Sequence, residues 1–193
     1  MKRAKLVLIG GTSHAGKSTL GRRLAEELDW NHLSTDQLAR HPGRPWNAGG
    51  NQIPDDVVDH YTRLSVAELV DSVLSHYRSN VWPIIDAIIR SRLNNPFDPG
   101  LVFEGSAILP ESVRAAGYPR VAATWLTAPN RVITERIKRS SDYETRTTAE
   151  QRLVDAFIQR SIAIDEILRA DTDGESMLDA TSGDVAELLG LLA

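Results

Sequence analysis

The sequence predicts an α/β protein built on a parallel sheet whose two faces are covered by helices, and three observations lead there. Short apolar runs alternate with longer stretches of helical periodicity. The first such run, Lys5-Leu6-Val7-Leu8-Ile9, leads directly into Gly11-Thr12-Ser13-His14-Ala15-Gly16-Lys17-Ser18, which fits the phosphate-loop spacing G-x-x-x-x-G-K-[ST] in full. Leu20, Leu24 and Leu28 then recur at helical spacing, so the loop joins a buried strand to a helix.

The remaining elements follow in order. Asn31-His32-Leu33-Ser34-Thr35 reads as a second strand and delivers Asp36 at its C-terminal end. Residues 41–54 hold Pro42, Gly43, Pro45, Gly49, Gly50 and Pro54, which is loop chemistry with little capacity for a core and reads as a substrate-side insertion. From 55 to 93 the pattern is helical, with Val66, Leu69, Val70, Val73 and Leu74 on one face and Ile84, Ile85, Ile88 and Ile89 on another. Pro83 marks a junction between two helices. Leu101-Val102-Phe103 is the third strand, followed by Glu104-Gly105-Ser106, and Val121-Ala122-Ala123-Thr124-Trp125-Leu126 is the fourth. Pro129 suits the first turn of a helix carrying Val132, Ile133 and Ile137. After a polar link over 140–146, the capping box Thr147-x-x-Glu150 opens a helix over 148–169. Ser176-Met177-Leu178-Asp179 is the last strand, before a terminal helix over 184–192. A single domain over 1–193 is expected, with 41–93 as a substrate-binding insertion and 136–147 as a lid.

Composition narrows the function. At 193 residues, with 41% hydrophobic and 25% charged content, the chain is long enough for one substantial core. A net charge of -4 gives no basic face for gripping nucleic acid. The absence of cysteine excludes disulfides and thiolate metal sites, and the five histidines lack a paired metal-ligand spacing, so zinc chemistry is not expected. Leu6 to Ile9 is too short for a signal-peptide core and no other run approaches a membrane span. The expectation is a cytoplasmic protein, monomer or homodimer, with a small-molecule partner and neither nucleic acid nor membrane.

Glycines at 10, 11 and 16 let the loop backbone turn its amide hydrogens inward, where the helix N-terminus adds positive potential. Residues 11–19, from Gly11 and Thr12 through Ser13, His14, Ala15, Gly16, Lys17 and Ser18 to Thr19, are therefore expected to cradle ATP. Lys17 would reach the β- and γ-phosphates and Ser18 would ligate Mg²⁺. Ligands of open α/β sheets bind beyond the carboxyl ends of the strands, so Asp36 and Glu104 should converge on the loop. Asp36 suits the group that accepts the proton of an attacking hydroxyl; its other reading is the N-cap of the next helix. Glu104 ends an apolar strand and suits Mg²⁺ held through water, a substrate contact or a salt bridge. Arg136 and Arg139 lie one turn apart beside Arg131 and Arg146, as lid cations that close on the phosphates or as a solvated face paired with Glu135 and Asp142. Arg40, His41 and Arg44 follow Asp36 closely and either hold an anionic acceptor or are surface loop residues. Tyr61, Tyr77, Trp82 and Trp125 read as core or pocket wall rather than as a base-stacking platform.

Together these residues resemble the nucleoside and nucleotide kinase-like group of P-loop phosphotransferases, which includes adenylate, shikimate and gluconate kinases and chloramphenicol phosphotransferases. Closer in look are 2-phosphoglycerate kinase-like proteins, through Ile9-Gly10-Gly11-Thr12-Ser13 into Gly16-Lys17-Ser18-Thr19, then Ser34-Thr35-Asp36, then Phe103-Glu104-Gly105 with Pro110 following. The resemblance covers most of the chain and implies a three-layer P-loop NTPase fold with a five-stranded parallel sheet in the order 2-3-1-4-5. It further implies ATP as donor, a helical substrate region after strand two and an arginine-bearing lid after strand four. Two departures stand out: the Asp-Gly-x-Pro-Arg run of adenylate kinases is missing after strand three, and the segment around Arg44, Pro45 and Trp46 has no counterpart.

The leading expectation is an ATP- and Mg²⁺-dependent kinase acting on a hydroxyl of a small polar or anionic metabolite. An antibiotic or nucleotide-sugar phosphotransferase on the same fold is the second, and a nucleotide-binding regulator with weak ATPase activity is the third. Asp36 at a strand end favours a kinase.

Overall fold

The computed structural model of the chain describes residues 4–38, 41–46, 52–172, 177–179 and 190. Five strands, β1 (Leu6–Gly11), β2 (Asn31–Ser34), β3 (Leu101–Glu104), β4 (Val121–Thr127) and β5 (Met177–Asp179), form one sheet in the order β2-β3-β1-β4-β5. Every pairing is parallel. This is the sheet that the alternation of apolar runs and the resemblance imply.

All six residues of the central strand β1 are buried, as its unbroken apolar run requires when helices cover both faces. On one face α1 (Lys17–Leu28) sets Leu20, Leu24 and Ala25 against Val7, Ile9, Val102, Leu126 and Leu178. On the other, α4 (Trp82–Asn94) brings Ile85 and Ile89 onto Leu6, Leu8, Leu101 and Phe103. Phe103 is fully enclosed, so truncation to alanine would cost about 3–5 kcal/mol. The long helix α7 (Thr148–Asp171) crosses behind β4 and anchors α2 (Asp55–Arg63) and α3 (Val66–His76), with Phe157 and Ile158 packed on Tyr61 and Leu69.

Several boundaries differ from the sequence reading, each for a local reason. The 55–93 region contains three helices rather than two, because Ser65 and Glu68 form a capping box that starts α3 afresh after Leu64. The junction before Pro83 is a π-helical turn, Tyr77–Val81, with the proline in the first turn of α4. A short helix, α5 (Pro110–Ala116), follows β3 and ends on Gly117 in the left-handed conformation. Pro129 takes the N-cap of α6 (Asn130–Ser140) instead of its first turn. The Thr147–Glu150 capping box forms as expected. Ser176 and the terminal helix expected over 184–192, apart from Gly190, lie outside the described residues. Among the described residues no helix is long and apolar enough to cross a membrane.

Parallel register brings the chemistry to one edge. Ile9 and Ser34 both pair with Glu104, and Gly11 pairs with Leu126, so the phosphate loop, the turn after β2 and the end of β3 emerge side by side. Gly105 permits the closest of these approaches: a Cβ there would sit 1.7 Å from Thr35 Oγ1. The 3₁₀ turn Thr35–Gln37, which carries Asp36, therefore rests on the end of β3 only because residue 105 has no side chain.

Candidate functional site

A cavity of about 690 Å³ opens at the carboxyl edge of the sheet. Its floor is the phosphate loop. Gly11 and Gly16 have φ of 130° and 104°, and His14 has φ of 63°, a left-handed conformation that a non-glycine residue adopts only when its surroundings hold it there. Those surroundings are visible: the ring nitrogens of His14 lie 2.9 Å from Ser13 Oγ and 2.8 Å from Ser140 Oγ, while Arg136 donates to the His14 carbonyl at 3.1 Å. Burial and the charges of Arg44, Lys17 and Arg136 push the His14 imidazole down to about 4, so it is neutral at physiological pH. Thr12 Oγ1 donates to the Ser161 carbonyl at 2.7 Å and ties the loop to α7.

Lys17 is 7% exposed, lines the cavity and donates to the Thr12 carbonyl at 2.7 Å. Burial holds its ammonium below the usual lysine range, against the opposing pull of Glu104 and Asp36. Glu104 is 1% exposed; its Oε1 is 3.9 Å from His32 Nε2 and has no hydrogen-bond partner. Its stem runs under α1, where Gly21 leaves room: a Cβ at 21 would meet Glu104 Cγ at 3.3 Å. Asp36 is exposed on the cavity wall, and Ser34, not Asp36, caps the turn by accepting from the Asp36 amide. The capping reading of Asp36 therefore does not hold.

These residues fit a magnesium nucleotide. A buried ammonium, a left-handed nest of backbone and a buried carboxylate oxygen without a donor all call for an anion accompanied by a cation. No group of three or more His, Asp or Glu able to hold a metal occurs among the described residues, so a cation held by Ser18 and Glu104 would draw its other ligands from phosphate oxygens and water.

The far end of the cavity is made by residues distant in sequence. Arg160 lines it from α7, whereas Arg44, whose charge acts on His14 and Lys17, lines the cavity from the 41–46 loop nearer the phosphate loop. Arg160 is 5% exposed, donates to Tyr61 Oη at 2.7 Å, lies 4.5 Å over the Phe157 ring and leaves its Nε without a partner. Burial raises the Tyr61 phenol to about 12 in spite of this arginine, so the tyrosine stays neutral. His41, His76 and Tyr77 complete the wall.

Most of the residues expected at the site from the sequence meet there: Ser13, His14, Gly16, Lys17, Ser18, Thr19, Asp36, Arg44, Glu104 and Arg136 all line the cavity, while Gly11, Thr12 and Ala15 support it from beneath as buried members of the loop. Arg139 does not join them. It is exposed and borders a separate cavity with Lys138 and Tyr143, because three residues of helix leave it about 60° around the axis from Arg136. Arg131 pairs with Glu135 at the surface, and Arg146 donates to the Ser141 carbonyl, and neither lines the cavity. Arg40 lies outside the described residues. Tyr61 and Trp125 are core and Tyr77 is pocket wall, as their types suggested. The sequence reading missed Arg160, although it falls among Leu153, Phe157, Ile164 and Leu168 on the buried stripe of α7, and a cation in such a stripe is a signal in itself.

Sheet order and loop together define a P-loop nucleotide-binding protein with the fold of small-molecule kinases. The chain matches the AAA domain model, AAA_33, over residues 6–162 and belongs to that family. It is 30% identical over 163 residues to a shikimate kinase of Nitrobacter winogradskyi (strain Nb-255), an alignment covering 84% of this chain and 64% of that protein. The chain thus spans a little under two thirds of the length of this curated relative. Among solved structures, a gluconokinase from Sinorhizobium meliloti 1021 superposes with a TM-score of 0.54 at 16% identity, covering 100% of this chain and 91% of the other. A shikimate kinase from Aquifex aeolicus vf5 does so with a TM-score of 0.50 at 14% identity, covering 97% and 95%. At these identities the two neighbours establish the fold alone.

Proposed function

We propose that the protein is an ATP- and Mg²⁺-dependent phosphotransferase acting on a hydroxyl of a small polar or anionic metabolite in the cytoplasm. The observation that carries this reading is a cavity that joins the phosphate loop and Arg44 to the exposed carboxylate of Asp36 and continues to a wall bearing Arg160. The relative named shikimate kinase supports the same class of reaction.

Phosphoryl transfer asks the protein mainly for positioning and charge. The loop amides and Lys17 hold the β- and γ-phosphates. Ser18 and Glu104 would hold magnesium, the hydroxyl directly and the carboxylate through water, and the ion would supply neutralisation of the phosphate oxygens when bound. Asp36 takes the proton of the acceptor hydroxyl as its oxygen bonds to the γ-phosphorus and the bond to the bridging oxygen of ADP breaks. Arg136 follows the phosphates from the 136–147 lid, and the 41–93 region encloses the acceptor. Arg160, preorganised by Tyr61 and Phe157, offers the acceptor's anionic group a fixed cation at the far end, while Arg44 stands nearer the phosphate loop, where its charge acts on His14 and Lys17. Arg139 is assigned no part in the chemistry.

The test is ADP release measured against a panel of phosphorylated sugars, glycerate-type acids, shikimate, gluconate, nucleosides and phenicol or aminoglycoside antibiotics, each compared with the rate without acceptor. Strong stimulation by one small hydroxylated compound is expected. Brisk ATP hydrolysis that no acceptor alters would replace this reading with that of a nucleotide-binding regulator.

A further inference from the structure

Three histidines that no sequence spacing connects meet beside Arg160. The ring of His41 lies 5.4 Å from that of His60 on α2 and 5.0 Å from that of His76 at the end of α3. Their hydrogen bonds fix two of the tautomers. His41 Nδ1 is 3.0 Å from the Pro42 carbonyl, which can only accept, so Nδ1 carries the proton and Nε2 is left toward Ser72 Oγ at 3.4 Å. The Asn80 amide donates to His76 Nδ1 at 3.0 Å, which leaves the His76 Nε2 proton unused. The Nε2 atoms of His60 and His76 and the Nε of Arg160 are all buried without a partner.

The charges acting on His41 come from Arg160 on α7, His76 on α3 and His60 on α2, and each is positive when ionised. Tyr61 on α2 and Tyr77, at the start of the π-helical turn after α3, flank the cluster. The carboxylates that line the cavity, Asp36 and Glu104, act on Lys17. Burial together with these like charges pushes His41 down to about 4, and burial also lowers His60 and His76. At neutral pH the cluster is therefore a set of uncharged imidazoles around one buried guanidinium, and it has surplus donors.

We infer that this end of the cavity is a proton-linked subsite for the doubly charged anionic group of the acceptor, which Arg160 holds while His41 and His76 take up protons from solvent. The inference rests on the kinase reading for the identity of the ligand as an acceptor. A single negative charge would be matched by Arg160 alone, leaving the imidazoles neutral and their donors idle. A dianion over-compensates the guanidinium, and the excess charge stabilises imidazolium in the same enclosure. Affinity for the dianionic form of such a group should then rise as pH falls from 7.5 toward 6, a dependence that a neutral or singly charged acceptor lacks.

The experiment uses the full chain saturated with Mg²⁺ and ADP, so that the phosphate loop is filled, and follows the imidazoles by ¹H–¹⁵N NMR during pH titration. Methyl phosphate, malonate and acetate serve as probes, and calorimetry in buffers of different ionisation heat counts protons. The expected result is that a dianionic probe raises the His41 midpoint from about 4 by about two pH units or more, so that binding near pH 6 takes up about half a proton beyond the change in the probe's own ionisation, while acetate does neither. An effect of methyl phosphate alone identifies a phosphate monoester as the group, and an effect of malonate alone identifies a dicarboxylate. Equal effects of acetate, or unchanged midpoints with all three probes, would overturn the inference, as would full proton uptake in His41→Asn. The heat of nucleotide binding in the same samples reports on the phosphate loop. A protein that binds Mg²⁺ and ADP but shows no histidine response loses this subsite alone, whereas one that fails to bind nucleotide loses the kinase reading.

Discussion

The two ends of the cavity are built on different principles. The end proposed for the nucleotide is one contiguous stretch, residues 11–19, whose backbone is shaped by Gly11, His14 and Gly16. The end proposed for the acceptor is assembled from side chains of four separate segments: His41 in a loop, His60 on α2, His76 on α3 and Arg160 on α7. A backbone site requires specific residues at specific spacing, because only certain residues permit the conformation. A side-chain site requires only that the fold bring suitable groups together, and the fold can draw them from anywhere.

The largest effect should come from Lys17→Ala. The lysine points into the phosphate site rather than the apolar core, so the fold should survive while turnover disappears and the thermal shift with ATP collapses. An equal shift for variant and parent would break the assignment of this end as the nucleotide site. Lys17→Arg should also fail, since a planar guanidinium does not replace a point charge in that space.

Next comes Asp36→Asn, which should lower kcat by about 10²- to 10⁴-fold, the range of a positioned general base, with a smaller change in ATP affinity. Because Ser34 rather than Asp36 caps the turn, the melting temperature should move little. Undiminished kcat would show that the carboxylate merely borders the cavity.

Arg136→Ala and Arg139→Ala sharpen the same comparison along one helix. The first removes a cation that touches the phosphate loop and should depress kcat more than it raises KM for ATP. The second alters an exposed residue outside the cavity and should leave kinetics unchanged. A matched loss in both would place the 136–147 segment in a different arrangement during turnover.

The smallest effect concerns acid. His14 and His41, one at each end, are both held at about 4 against 6.5 in the unfolded chain. Between these values the unfolded state binds more protons, so the stability they contribute is complete above pH 6.5 and is lost as pH falls toward 4. A thermal melt at pH 5 should therefore show a lower midpoint than at pH 7, and the difference should shrink in a His14→Asn, His41→Asn double variant. Identical midpoints in the parent would contradict the burial of these rings.

What was legible in the sequence follows the same division. The strand order and the phosphate loop could be anticipated because β1 is uniformly apolar and the glycine spacing admits few alternatives. Asp36 and Glu104 were legible because strand ends converge in a parallel sheet. The histidine cluster was not, since His60 on α2 and His76 at the end of α3 meet a common neighbour only because His41 of the 41–46 loop packs against both. Arg139 misled because helical spacing places two residues on one broad face without saying where the face meets a cavity edge. Ser65 was overlooked for a simpler reason: its capping box lies inside a long apolar pattern that reads through it.

The hydrogen bond from Thr12 to the Ser161 carbonyl gives the molecule a gauge. Ser161 adjoins Arg160, so the nucleotide floor and the deepest cation of the opposite wall are referenced to a single point on α7. An α-helix rises about 1.5 Å per residue, and moving that arginine by one turn would displace it by about 5.4 Å while the floor stayed in place. If the far wall holds the acceptor as proposed, the length of molecule that fits between donor and wall is thus written in the position of one residue along a rigid rod. A descendant of this chain could change the size of its acceptor by shifting that mark, with no alteration to the part that handles phosphate.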